Sequence, residues 1–198
     1  MTRHPVIAIS GVPGAGKSRA SAVLARRMGA VHLPFDDFET LTQLDPATVQ
    51  HWLAQGAPVA AMYHPDLDRV LDDLSRQGPV VFETPMGRMP PAHDALITIS
   101  LWLEVDRDVA LCRKLDAALH ADHWSGAEEM AGWIGGFLQG YQALVRPCLD
   151  LQAANVRARA DHVIDGMLPP AAVDSDVARI VQTALAHQAA TQGFTAER

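Results

Sequence analysis

The chain has 198 residues, 48% of them hydrophobic and 20% charged, the make-up of one folded globular domain rather than a disordered or fibrous chain. Its formal net charge of −7 disfavours a general nucleic-acid surface, because non-specific binding to a polyanion relies on basic patches. No apolar run approaches the ~20 residues that cross a bilayer, and Cys112 and Cys148 form no Cys-x-x-Cys pair, so a cytoplasmic protein with reduced thiols and no nucleic-acid or membrane partner is expected.

Met1-Thr2-Arg3-His4-Pro5 leads into Val6-Ile7-Ala8-Ile9 without a secretory apolar segment, and that short apolar run suits a buried strand. The strand ends in Gly11-Val12-Pro13-Gly14-Ala15-Gly16-Lys17-Ser18. Glycine, four residues, then Gly-Lys-Ser is the phosphate-cradling P-loop. Glycines let the backbone curl until successive N–H groups converge on one anion. A helix follows, with apolar Ala20, Val23, Leu24 and Met28, and its dipole aims about half a positive charge at the same place. Nucleoside triphosphate binding at residues 11–18 is therefore expected, with Arg19 directly behind the loop. Lys17 is placed to reach the terminal phosphates and the Ser18 hydroxyl to ligate Mg²⁺.

Val31-His32-Leu33-Pro34 is the second expected strand, running into Phe35-Asp36-Asp37-Phe38. Acids at a strand end, soon after a P-loop unit, face the crevice where α/β sheets bind ligands. Asp36 is assigned as the group that accepts a hydroxyl proton and helps steer Mg²⁺, with Asp37 beside the acceptor; helix capping is the plainer reading of the pair. Residues 45–55 read as a helix with Val49, Trp52 and Leu53 on one side, stopped by Gly56-Ala57-Pro58. After Tyr63-His64-Pro65-Asp66 comes a second helix with Leu67, Val70, Leu71 and Leu74, placed to wall an acceptor site that includes Tyr63 and His64.

Gly78-Pro79 ends that helix, and Val80-Val81-Phe82-Glu83 reads as a central parallel strand delivering an acid beside the P-loop. Glu83 is chosen for the metal over Glu104, Asp106 and Asp165 because its strand follows in the right place to pair with the first. Thr84-Pro85-Met86-Gly87-Arg88 follows as a loop; Arg88 is read either as gripping an anionic substrate or as a surface arginine. Residues 97–105 form a fourth strand, and 107–119 a helix whose buried stripe is Leu111, Leu115 and Ala118 or Leu119, with Arg113 and Lys114 off the stripe and free to face phosphates. Residues 127–141 are helical in pattern but weakened by Gly132, Gly135, Gly136 and Gly140, each costing about 1 kcal/mol relative to Ala. A lid tolerates such weakness, and close helix packing is the other cause. Residues 160–166 give a fifth strand, and Val173, Val177, Ile180, Val181, Ala184 and Leu185 stripe a final helix.

Lined up, these stretches resemble the uridine kinase group of P-loop kinases from about Val6 to Gly166. Phe35-Asp36-Asp37-Phe38 resembles the family's Asp-x-Phe, His64-Pro65-Asp66 its Asp-His-Pro segment, and Val81-Phe82-Glu83 its metal-holding strand. Leu103 to Lys114 and Tyr141 to Pro147 resemble its later stretches. The departures concern the acceptor: Tyr63 replaces the sugar-gripping acid, Gly78-Pro79 leaves no room for the nucleobase-reading hairpin, and the Arg-rich lid motif is missing.

The expected fold is α/β, a three-layer P-loop NTPase with a five-stranded parallel sheet and helices on both faces. Residues 1–190 form the single domain, with a helical lid region at about 115–145 and a loose tail at 191–198. The expected activity is Mg²⁺- and ATP-dependent phosphorylation of a hydroxyl on a small molecule. Two alternatives remain open, a nucleotide-binding switch without transfer and a nucleoside monophosphate kinase.

Overall fold

The computed structural model describes residues 3–38, 44–58 and 65–196. Its strands are β1 (Val6–Gly11), β2 (Val31–Pro34), β3 (Val80–Glu83), β4 (Ile99–Glu104) and β5 (His162–Asp165). They form one five-stranded parallel sheet in the order β2-β3-β1-β4-β5. The helices are α1 (Lys17–Met28), α2 (Pro46–Ala54), α3 (Pro65–Gln77), α4 (Pro91–Leu96), α5 (Arg107–Leu119), α6 (Ala127–Gly140), α7 (Arg146–Asn155) and α8 (Pro170–Ala196). Parallel neighbours require crossovers, and the helices between the strands supply them.

Alternate residues of β1 serve two cores. Ile7 and Ile9 pack with Leu24 of α1 and with Val177 and Val181 of α8. Val6 and Ala8 join Phe82 of β3 and Leu67 and Leu71 of α3 on the other face. This is the three-layer arrangement expected of strands that are apolar on both faces. Because β1 is central, its carboxyl end opens into the crevice of the sheet. The P-loop begins there.

Several boundaries differ from expectation. Pro91–Leu96 forms a short helix, α4, in a stretch to which the sequence pattern assigns no element, and β4 starts at Ile99 rather than 97. The buried positions of α5 are Ala110 and Ala118, while Leu119 is 50% exposed. That stripe is narrower than its leucines imply because small residues let α5 sit close to the P-loop. Helix α8 continues to Ala196, past the point where a loose tail is expected. Between α6 and α7 the chain stays helical through a π-helical turn, Tyr141–Val145, the kind of widened turn that concentrates at functional sites.

Candidate active site

The P-loop joins β1 to α1. Gly14 has φ 86°, and a Cβ there would collide with the Ala110 carbonyl of α5, so only glycine lets the loop close against that helix. Gly16, with φ 91°, caps α1. The Ala15 N–H is spent on the Val12 carbonyl at 3.0 Å, and Lys17 Nζ donates to the same carbonyl at 3.3 Å. The lysine thus folds back over its own loop.

Pairing of Ile9 with Glu83 sets the carboxylate beside the end of β1. Glu83 is buried, and both its oxygens are held. Ser18 Oγ donates to Oε1 at 2.5 Å, and His32 Nε2 of β2 lies 3.1 Å from Oε2. Asp36 stands on a 3-10 turn, Phe35–Phe38, anchored by buried Phe35 directly after β2. Burial holds the Lys17 ammonium below its usual range, against the pull of Glu83 and Asp36 and with a further push from Lys114. Two acids and two lysines therefore share one field.

These groups open into a cleft of about 970 Å³ whose floor includes Pro13, Gly14, Lys17 and Ser18, with Asp36 and Glu83 beside them. Val49 and Trp52 of α2 form one wall, Met86 and Met89 another. Trp133 and Phe137 of α6, Leu144 of the π-helical turn and Gln152 of α7 close the rest. Rings of Trp133 and Phe137 stack at 5.3 Å, and Lys114 Nζ lies 5.9 Å from the Trp133 centroid. The Gln152 amide donates to the carbonyls of Pro85 at 2.7 Å and Gly11 at 3.3 Å, tying α7 to the ends of two strands.

The sequence-based site residues separate into groups. Pro13, Gly14, Lys17, Ser18, Asp36, Glu83 and Lys114 all line the cleft. Gly11, Val12, Ala15 and Gly16 complete the loop's backbone, whereas Asp37 is exposed and does not line the cleft. Tyr63 and His64 lie outside the described residues. Three arginines point elsewhere. Arg19 is held by Asp174 of α8 at 2.8 and 2.9 Å and by the Pro170 carbonyl. Arg113 donates to the Gly166 carbonyl at 3.0 Å. Arg88 bonds Asp161 at 2.7 Å, the Ile97 carbonyl at 2.9 Å and Asp94 at 3.0 Å. Those partners flank the amino ends of β4 and β5, opposite the P-loop, so neither expectation for Arg88 holds: it is a mostly buried clamp, 16% exposed. Its loop is turned inward by Gly87, φ 50°, where a Cβ would come within 2.7 Å of Val156 Cγ1.

Sequence reasoning missed His32, Gln152 and the apolar walls. Helical spacing marked Val49 and Trp52 as one face, but nothing local says that this face looks onto a cleft rather than the core.

The Ser18 hydroxyl and Glu83 carboxylate are hard oxygen donors, 2.5 Å apart and against the P-loop, which suits Mg²⁺ carried largely by phosphates. Among the described residues no cluster of three or more His, Cys, Asp or Glu could cage a metal alone. The glycine-shaped loop and Lys17 fit a polyphosphate.

No protein-family model matches the chain, and neither does any curated protein by sequence. Solved structures do match in shape. A shikimate kinase from Acinetobacter baumannii, in complex with shikimate, superposes with a TM-score of 0.53 at 17% identity, over 93% of this chain and 94% of that one. A sugar kinase from Janibacter sp. HTCC2649 gives 0.50 at 16% identity, over 92% and 94%. The chain has the fold of P-loop small-molecule kinases. A gluconokinase from Sinorhizobium meliloti 1021 gives 0.48 at 17% identity, over 98% of this chain and 99% of that one. Among the described residues no helix is long and apolar enough to cross a membrane.

Proposed function

We propose that the protein is an Mg²⁺- and ATP-dependent kinase that transfers the γ-phosphoryl group to a hydroxyl of a small molecule. The observation that carries this reading is the convergence of Lys17, Ser18, Glu83 and Asp36 on one cleft beside the P-loop. Loop N–H groups and the dipole of α1 hold the β-phosphate, and Lys17 offsets charge on the group in transit. Ser18 and Glu83 hold the metal, which supplies charge neutralisation on the phosphates. Asp36 orients the acceptor hydroxyl and takes its proton. Lys114 adds a second cation at the cleft. The matching structures of the same fold are named a shikimate kinase and a sugar kinase, which agrees with phosphoryl transfer to a small molecule.

The finer likeness to uridine kinases is supported by motif order alone, and the missing hairpin argues for a different acceptor body. A nucleoside monophosphate acceptor needs an anion pocket. Among the described residues no arginine lines the cleft, and Arg88 is engaged elsewhere. The test is a coupled-ADP assay across candidate alcohols with MgATP. Lys17→Ala should lower kcat/KM by about 10- to 150-fold, from loss of a charge-assisted contact of roughly 1.5–3 kcal/mol. Wild-type turnover in that variant would sink the assignment. Nucleotide binding without acceptor-stimulated ADP release would favour a switch protein instead.

A further inference from the structure

We infer that the acceptor is an uncharged alcohol with an apolar, ring-bearing body, rather than a sugar acid or a polyol. This rests on the kinase reading for its hydroxyl, but the cleft chemistry stands separately. Lys17 and Lys114 are the chain's two lysines, and both line the cleft. A triphosphate with its Mg²⁺ still carries about two negative charges, which those two cations match, so neither is spare for an acceptor carboxylate.

Among the described residues no further lysine or arginine serves the cleft, and the segments 39–43 and 59–64 contain no lysine or arginine. Arg107, which borders a small adjoining crevice, is paired with Asp150. A carboxylate brought into this space would face Asp36 and Glu83, with no free cation among the described residues to pair it. Enclosing an unpaired anion beside like charges is costly.

Hydrogen-bonding capacity is equally limited. Ser18 and Glu83 bond each other, the Gln152 amide donates to two backbone carbonyls, and Trp52 Nε1 donates to the Pro58 carbonyl at 3.1 Å. Among the described residues beyond the P-loop and Lys114, that leaves Asp36 and Asn155 as polar side chains facing an acceptor. A polyol needs a partner for each hydroxyl it removes from water. What the cleft offers in quantity is Trp52, Met86, Met89, Trp133, Phe137 and Leu144. Aromatic faces and thioethers suit a ring, and Met adapts to its outline. Gly132 and Gly136 face the same space, and a Cβ on either would meet nothing within 4 Å.

The experiment uses the full chain with four probes that separate charge from polarity: 3-phenyl-1-propanol, 3-phenyllactate, uridine and gluconate. Binding is read by calorimetry with a non-hydrolysable ATP analogue and Mg²⁺ present, and turnover separately by ADP release. 3-Phenyl-1-propanol should bind at least about tenfold tighter than each of the others, a margin of ~1.4 kcal/mol. Trp52→Ala should erase about that tenfold margin while leaving affinity for the ATP analogue within twofold. Phe137→Ala, on a different wall, should do the same if the first variant folds poorly. Tighter binding of uridine or gluconate overturns the apolar assignment, and tighter binding of 3-phenyllactate overturns the uncharged one; ADP release with any of them would still sustain the kinase reading. Preferential binding of 3-phenyl-1-propanol without ADP release from any probe keeps this inference and sinks the kinase reading.

Discussion

Three side chains carry separable tests. Arg88 spans from Asp94 to Asp161 and the backbone at the start of β4. Arg88→Ala should therefore cost about 1–3 kcal/mol of stability while leaving acceptor KM unchanged. A raised KM with normal stability would restore a substrate role. Glu83→Gln keeps the shape beside Ser18 and removes the charge, so its loss of turnover should be partly recovered by raising Mg²⁺, whereas that of Lys17→Ala should not. His93 of α4 is buried edge-on to Phe82 at 5.4 Å, with Nε2 2.8 Å from Asp68, and burial lowers its pKa to about 4. In the unfolded chain it titrates near 6.5, so between those values the unfolded state binds more protons and stability falls as pH falls. The full effect is on the order of 3 kcal/mol. Urea melts at pH 7 and pH 4.5 should show a smaller acid loss in His93→Gln than in the parent; equal losses would remove His93 from the acid response.

At the level of elements, α6 is the informative case. Its glycines weaken it, yet it holds the cleft wall through Trp133 and Phe137. Gly135 does not line the cleft, and a Cβ there would meet nothing within 4 Å. Gly135→Ala should thus stabilise by about 0.5–1 kcal/mol, with acceptor KM unchanged. Gly136→Leu would place a side chain in the cleft itself and should raise acceptor KM by about tenfold or more, with affinity for the ATP analogue kept. Equal kinetics for the two variants would show that the acceptor does not reach α6. Element α4 and the narrow stripe of α5 show where period-based reading falls short. A six-residue helix opened by Pro90-Pro91 has too few turns to display a period. On α5 it is the P-loop's approach at Ala110, not the leucines, that decides which residues are buried.

For the whole molecule, the prediction is linkage. MgATP bound at a hundred times its Kd should stabilise the native state by about 2.7 kcal/mol, raising Tm by roughly 5–10 °C for a domain of this size. Lys17→Ala should show a smaller rise, and Arg88→Ala the full rise from a lower starting Tm. That contrast separates the phosphate site from the clamp on the far end of the sheet.

The P-loop, the alternation of strands and helices and the acid of β3 were all legible in the chain, because each is a local pattern whose physics acts within a few residues. Tertiary structure decided what depends on residues far apart meeting: Glu83 against Ser18 across 65 positions, Arg88 against Asp161 across 73, and apolar side chains of α2, α6 and α7 around one space. Spacing along a helix says which residues share a face. Only packing says whether that face meets protein or an opening kept for something else.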